Sequence, residues 1–386
     1  MIIIILLFLF AAFTIFWANI GYPLSILMLG KIFKKDNIRL KNYYPEVTIM
    51  IVAHNEEKVI SNKLKNLENL NYPKDKLSIL VASDNSIDET NDIVQKYIDM
   101  NPHRDISLYK AKKRMGKTNA QNEAQKKVKT DFLIMTDANA LLDSEAVKEI
   151  ISSFSDSNIS YVTGQLKYVN SNDNLTSSNE STYWNLDLKI REIESRIQTI
   201  TAGNGALYAV RNSEYYDFNP IHSHDSAMPL FFALNGKRAI ANHDAIAYEK
   251  AGESNNDEYK RKVRMSRVIL SYMLPNLKIF NVLKYKWFTY FYLGHRSSRY
   301  SLWLMHIILL VTNIILAIKT SLFLLILLLH LTILCLVITQ HFFKFDNKYL
   351  SLLYYYFMTI FAQTIGVKNI ITGNAKPFWE KAESTR

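Results

Sequence analysis

The feature that most constrains this chain is where its apolar residues lie. Residues 2–30, "IIIILLFLFAAFTIFWANIGYPLSILMLG", carry no charge, and a run of that length crosses a hydrocarbon core of roughly 30 Å as one helix. No basic segment precedes it, and it is longer than the apolar part of a cleaved leader, so it reads as an uncleaved anchor. The other apolar blocks sit at the far end. Residues 301–318 and 321–343 each have spanning length, whereas 349–371 contains Gln363, Gly366, Lys368 and Asn369 and either spans or lies at the interface. From residue 31 to about residue 300 the chain is polar, with room for a core of ordinary size. One domain is therefore held between membrane segments.

Charge gives that domain a side. Lys31, Lys34, Lys35, Arg39 and Lys41 follow the first span, and Arg296 and Arg299 precede the next; basic flanks face the cytoplasm. The net charge of +11 then reads as a basic face beside anionic lipid. Nucleic acid is a poorer partner, because the charge clusters at the membrane junctions and not in a stripe with stacking aromatics. The single cysteine, Cys335, lies in an apolar block, which excludes a disulfide framework or a cysteine metal cluster. The spans are too few, and too poor in paired charged groups, for a channel or transporter.

Within the domain, short β-branched runs alternate with helical stretches. "VTIMIVA" (47–53) precedes a helix from about Glu56 to Leu70, and "LSILVAS" (77–83) one from about Asp88 to Met100. "ISLYK" (106–110) precedes a helix over 117–129, followed by "DFLIMTD" (131–137). This alternation predicts an α/β fold, with a mostly parallel sheet covered on both faces. Beyond it, 160–169 and 205–211 read as strands and 179–198 as a charged helix.

Ligands of such sheets bind outside the carboxyl ends of the strands. Three of these ends are polar: "AHNEE" (53–57), "SDNS" (83–86) and "TDAN" (136–139). Asn55 and Glu56 suit either a ligand or a helix start. "SIDE" (86–89) fits a capping box, which leaves Asp84 for ligand contact. Asp137 reads equally as a metal ligand or as a strand-end turn, with Asn139 as a neutral second oxygen; magnesium needs only one or two carboxylates when phosphates complete its shell. "MGKTNA" places Lys117 at a helix start. Asp225 opens an apolar helix, as a helix cap or as a reactive group. The basic stretch "YKRKVRMSR" (259–267) reads mostly as a solvated face against lipid, with Arg261 and Arg264 one turn apart.

The order of these features resembles the family-2 glycosyltransferases, membrane-bound inverting enzymes with a Rossmann-like GT-A domain, including the synthases of hyaluronan, cellulose and poly-N-acetylglucosamine. The likeness runs from about residue 45 to 300. "VTIMIVAHNEEKVI" matches the opening strand and its Asn-Glu turn, "LSILVASDNSIDET" the second strand, "GKTNAQNEA" the Gly-Lys helix start and "FLIMTDAN" the Asp-x-Asp. "AGNGALYAVR" looks like the Gly-rich acceptor segment, "SHD" stands for Thr-Glu-Asp, and "RKVRM" for Gln-x-x-Arg-Trp. The resemblance implies donor-nucleotide contacts at Ala53, Asn55, Glu56, Asp84, Lys117, Asp137, Arg261 and Arg264. It implies Mg²⁺ or Mn²⁺ at Asp137 and Asn139, acceptor contacts at Gly203, Asn204, Gly205 and His224, and a catalytic base at Asp225.

Arg261 for Gln, Met265 for Trp and His224 for Glu depart from the pattern; Met265, with the few C-terminal spans, argues against processive synthesis, and His224 bears on the acceptor contacts. The expected activity is transfer from a nucleotide-diphosphate sugar, a UDP-sugar, to a lipid-linked or glycan acceptor for cell-surface polysaccharide or glycolipid synthesis. The alternatives are a processive synthase and a non-catalytic nucleotide-sugar-binding scaffold. The expected organisation is an anchor at 1–30, a GT-A domain at 31–270, an interfacial amphipathic segment at 271–300, membrane or re-entrant helices at 301–371 and a tail at 372–386. The expected setting is a bacterial inner (plasma) membrane, with the domain cytoplasmic and in contact with membrane lipids.

Overall fold

Strand β1 (Val47–Ala53) is apolar at nearly every position because it is covered on both faces. Ile49 and Ile51 face one buried layer and Met50 the other. In this computed structural model the described residues are 1–170, 175–252, 254–274 and 276–378, with only the helical backbone described for 175–183. β1 lies between β2 (Leu77–Ser83) and β4 (Phe132–Asp137), and β2 pairs in turn with β3 (Ile106–Lys110), all parallel. β7 (Leu207–Arg211) runs antiparallel to β4 and to β6 (Ile159–Tyr168). β8 (Arg238–Glu249) lies parallel to β6, and the short β5 (Leu141–Leu142) closes the edge. The eight-stranded order is 3-2-1-4-7-6-8-5.

The register brings the polar strand ends together. Ala53 pairs with Ser83, and Val52 with Asp137. Because β7 is antiparallel to β4, with Leu207 opposite Thr136, the segment leading into β7 arrives at that same end. Mixed helices cover the sheet: α2 (Ile60–Glu68), α3 (Thr90–Met100), α4 (Lys117–Gln125), α5 (Ala146–Ser152), α6 (Leu175–Ile197), α7 (His224–Leu234) and α8 (Asn255–Met265).

Among the described residues, three helices are long and apolar enough to cross a membrane: α1 (Ile2–Ile32), α11 (Ser321–Phe343) and α12 (Lys348–Ile371). Between them α9 (Trp287–Tyr300) and α10 (Leu302–Ala317) form a pair bent by 62°. The expectation that 301–318 spans by itself needs correcting. The 16 residues of α10 rise only about 24 Å, short of a hydrocarbon core. α11 exposes Leu322, Leu325, Leu329 and Ile338, a surface suited to lipid. α12 is one unbroken helix, not a re-entrant pair, and its Gly366 packs on Ser266, just past α8.

The charges at the membrane junction also differ from expectation. Arg296 is 6% exposed, and Arg299 bonds Asp187 at 2.6 Å. Both lie within protein, not on a lipid-facing flank. In α8, Arg261 forks onto Glu258 (2.8 and 2.9 Å), Lys262 reaches the same carboxylate at 3.2 Å, and Tyr355 of α12 donates to it at 3.0 Å. A helix that packs under another must neutralise its inward charges; here Glu258, buried at 1% exposure, does so. Burial pushes the Glu258 carboxyl upward, but Arg261 and Lys262 outweigh it and bring the pKa down to about 2. The expected tail at 372–386 is described as far as residue 378, so its last basic residues, Lys381 and Arg386, lie outside the described residues.

Candidate functional site

At the carboxyl edge of the parallel strands, four chain segments meet around Gly205. A methyl group there would lie 3.1 Å from Lys117 Nζ, 3.3 Å from Asp137 Oδ2 and 4.0 Å from Asp225 Cγ. Lys117 forms an ion pair with Asp137 Oδ1. Each group arrives for a local reason. Asp137 is the last residue of β4, and Ala140 N donates to its carbonyl (3.2 Å) to close a turn that leaves Asn139 half-buried beside it. Lys117 is the first residue of α4, which starts after Gly116 at φ 95°; only glycine adopts that conformation without strain. Asp225 is the second residue of α7 and is tied to the β7 lead-in by Gly203 N donating to its carbonyl at 2.8 Å.

Buried groups hold this arrangement from behind. Lys63, fully enclosed, donates to Thr136 Oγ1 (2.8 Å) and to the Ala140 carbonyl, on either side of the Asp137 turn. Desolvation pulls its pKa down to about 7, against the pull of Asp137. Tyr161 and Tyr208 stack at 5.5 Å. Burial, then the charge of Asp225, raises both phenols above their ordinary range. Arg191 donates to the Gly203 carbonyl at 2.6 Å.

Residues 48–217 match the family described as Glycosyl transferase family 2. The chain carries a glycosyl transferase family 2 domain. Over 128 residues it is 34% identical to the probable glycosyltransferase YdaM of Bacillus subtilis, covering 33% of this chain and 30% of that protein. It is 25% identical over 197 residues to the beta-monoglucosyldiacylglycerol synthase of Nostoc sp., covering 50% and 42%. With the poly-beta-1,6-N-acetyl-D-glucosamine synthase of Staphylococcus aureus it shares 24% over 227 residues, 57% and 54%. The chain thus spans 30–54% of the length of these relatives. The mannosyltransferase PcManGT of Pyrobaculum calidifontis, solved with GDP-Man and Mn²⁺, superimposes with a TM-score of 0.70 at 19% identity, over 95% of this chain and 99% of that one. At that identity the likeness establishes the fold, which is GT-A.

Within the family-2 domain, several expected site residues serve the scaffold. Asp84, 3% exposed, accepts from the backbone N–H groups of Met115 (3.0 Å) and Gly116 (2.8 Å). It thereby shapes the turn that presents Lys117. Its own N–H donates to the Ala53 carbonyl at 2.8 Å. Asn55, at φ 54°, accepts from Ile87 N (2.9 Å), and Glu56 N donates to Thr90 Oγ1 (2.7 Å). The capping box over 86–89 does not form, because α3 starts at Thr90 and Ser86 Oγ instead accepts from Asn55 N at 3.1 Å. The N-cap is Glu89, without a side-chain cap bond, and Asp88 before it accepts from Thr90 N at 3.1 Å.

Two expected acceptor residues are likewise engaged within the protein. Asn204 is 4% exposed and uses both ends of its amide, donating to Gly164 O (2.6 Å) and accepting from Ala206 N (3.1 Å). His224 is 1% exposed, with its ring nitrogens at 2.9 Å from Gln121 Oε1 and 2.8 Å from Tyr215 Oη. Desolvation, then Lys117, lowers its pKa to about 3, so it is a neutral strut. Arg261 is engaged with Glu258 in α8, and Arg264 is half-buried one turn further on.

Sequence reasoning missed Lys63, an interior helix position with no motif around it. It also missed the C-terminal segment. Arg267 Nη1 donates to the Pro377 carbonyl at 3.0 Å, and Arg114 lies 5.0 Å from the Phe378 ring centroid. A side chain at Gly116 would meet Pro377 O at 2.5 Å. This segment therefore passes over the turn that presents Lys117.

Among the described residues, no three His, Cys, Asp or Glu side chains gather to hold an ion by themselves. The donor set at the strand end does fit a metal shared with phosphates: one carboxylate turned toward the Gly205 cradle, and a half-buried amide two residues on.

Proposed function

We propose that this chain is a membrane-bound inverting glycosyltransferase that moves a sugar from a nucleotide-diphosphate sugar, a UDP-sugar, to a lipid-linked or glycan acceptor. The observation that carries this reading is the convergence of Lys117, Asp137 and Asp225 on the Gly205 cradle. The chemistry needs a base on one side of the anomeric carbon and positive charge on the other. Asp225 takes the proton of an acceptor hydroxyl as its oxygen attacks. A base so placed contributes about 10²–10⁴-fold. The anomeric bond to the diphosphate breaks on the opposite face, which inverts the centre. Lys117 lies where the departing phosphates gather negative charge, and Arg264 adds a charge-assisted contact. Asp137 and Asn139 would hold Mg²⁺ or Mn²⁺, which supplies Lewis-acid stabilisation of the leaving diphosphate.

The setting supports a membrane-borne acceptor, because apolar helices flank the domain on both sides in sequence. The Nostoc relative is named for a glycolipid product and the Staphylococcus relative for a polysaccharide. Met265, exposed and standing for the Trp of the Gln-x-x-Arg-Trp pattern that the sequence resembles, favours transfer of one or a few sugars. The test is a screen of the purified full chain in neutral detergent against nucleotide-sugars with Mn²⁺, reading released nucleotide. Wild-type protein should release nucleotide in an acceptor-dependent way. Near-normal transfer by Asp225→Asn would sink the assignment of the base.

A further inference from the structure

Asp225 stands at the end of a chain of buried contacts that begins on α1. Between α6 and β7, residues 198–206 form no regular element, so their backbone groups need partners from elsewhere in the fold. Gly203 is the tightest point of this stretch. A methyl group there would meet Tyr161 Oη at 1.8 Å, so the backbone lies directly against that side chain. The Gly203 N–H donates to the Asp225 carbonyl at 2.8 Å, and the Gly203 carbonyl accepts from Arg191 Nη1 at 2.6 Å. One residue thus links a guanidinium on α6 to the first turn of α7. Two residues later the same stretch forms the Gly205 cradle.

Arg191 is itself held in place. It is 7% exposed, its Nη2 lies 2.6 Å from Asp187 Oδ2 one turn earlier, and its guanidinium carbon is 5.5 Å from the Trp184 ring centroid. Asp187 is gripped in turn from α9, with His295 Nε2 at 2.8 Å and Arg299 Nη1 at 2.6 Å from its Oδ1. His295 Nδ1 lies 2.7 Å from Glu194 Oε1, and Tyr22 of α1 donates to that same oxygen at 2.6 Å. Burial pushes the Asp187 carboxyl up, but Arg191, then His295, outweighs it and holds the group well below the usual carboxylate range. Buried ion pairs add little stability over apolar residues of similar volume, whereas a hydrogen-bonded network fixes one geometry. Here the geometry that it fixes ends at Asp225.

We propose that Arg191 is a positioning residue for the transfer reaction: through Gly203 it sets where Asp225 stands relative to the acceptor hydroxyl. This rests on the glycosyl-transfer reading, with Asp225 as the base. Arg191 touches no reacting atom. It holds the Gly203 carbonyl, the Gly203 N–H holds the Asp225 backbone, and the carboxylate follows. Lys117 and Asp137 arrive from α4 and β4, so the donor side of the cradle keeps its own supports. The guanidinium serves Asp187 and the Gly203 carbonyl from two different nitrogens, a fork that a lysine ammonium does not reproduce.

The test uses the purified full chain in neutral detergent with Mn²⁺. UDP-glucose and UDP-N-acetylglucosamine serve as donors, diacylglycerol and a polyprenyl phosphate as acceptors, and the pair that the wild type turns over is carried forward. Turnover is counted per UDP-binding site, which removes misfolded protein from the comparison. Arg191→Gln should lower kcat by about 10²-fold, the cost of a misplacement near 1 Å, while the nucleotide-sugar KM and the affinity for UDP stay put. Arg191→Lys should recover part of that loss. Should Arg191→Gln not fold, Arg191→Lys keeps a charge beside Asp187 and should still lose about 10-fold in kcat. Wild-type kcat per site in the Arg191 variants, beside an inactive Asp225→Asn, overturns this inference alone. So does a loss of UDP affinity in step with kcat, which would mark Arg191 as general support for the cradle. An Asp225→Asn variant that transfers normally, or a wild type that releases no nucleotide with any acceptor, overturns the transfer reading, and this one with it.

Discussion

The strand-end cradle and the helical shell formed by α6, α8, α9 and α12 treat charge in opposite ways. In the cradle, Lys117 and Asp137 remain 18% and 32% exposed and face a site into which a methyl group would barely fit. In the shell the charges are internal. Glu258 gathers Arg261, Lys262 and Tyr355. Asp187 gathers Arg191, His295 and Arg299, and Glu194 takes the other nitrogen of His295 at 2.7 Å. The lesson is that exposure separates charges a ligand can reach from charges used for assembly. A half-exposed pair can exchange partners for a ligand, whereas a buried one is committed, since removing either member strands the other. Arg296 is buried in the shell as well, with its guanidinium over the rings of Tyr272 and Tyr300.

The largest expected effect sharpens the cradle side. Asp225→Asn should lower transfer by about 10²–10⁴-fold with nucleotide-sugar binding retained, as measured by turnover and by equilibrium binding. The next effect tests the shell. Glu258→Gln leaves Arg261 and Lys262 without their shared anion and should cost about 3–5 kcal/mol in chemical denaturation in detergent, together with a loosened α12. Its pH signature has a definite sign. Because the folded pKa is about 2, below the unfolded value, this stabilisation is present above roughly pH 4.5 and is lost as the pH falls toward 2. A variant as stable as wild type would show the shell charges to be as dispensable as surface pairs.

Gly205→Ala comes third. Its methyl would press on Lys117 and Asp137, raising the nucleotide-sugar KM by roughly 10-fold with little change in stability. Unchanged kinetics would mean that the cradle is wider in solution than the contacts allow. The last effect is thermal. His224 is held neutral with a pKa of about 3, so the unfolded state binds the extra proton, and stability attributable to it falls as the pH drops below about 6.5. His224→Gln should flatten the melting temperature between pH 6.5 and 4, and an equally steep profile in the variant would remove His224 as the cause.

Much of the fold was legible because strand formation here is a local matter. β1, β2 and β3 occupy the residues that their apolar runs predict, and β4 starts one residue later, at Phe132. β8 was not legible, since His243 and Asp244 interrupt its apolar pattern and its pairing with β6 comes from far along the chain. Of the site, Lys117, Asp137 and Asp225 stood out by motif and do meet. Asp84, Asn204 and His224 carried equally good motifs but turn inward, because a polar residue at a strand end can satisfy a buried backbone as readily as a ligand. Lys63 carried no motif at all.

By itself, then, the sequence determined the long apolar helices near both ends, the parallel half of the sheet and the residue types available at its carboxyl edge. These follow from hydropathy and short-range periodicity, which need no knowledge of distant partners. The tertiary structure alone decided which charges were paired. The basic stretch 259–267 looks like a lipid-facing surface until α12, about ninety residues later, covers it. Arg296 and Arg299 look alike until Asp187 is found to reach one of them. Burial is a property of the folded neighbourhood, and it is burial that turns a charge from a surface feature into a strut.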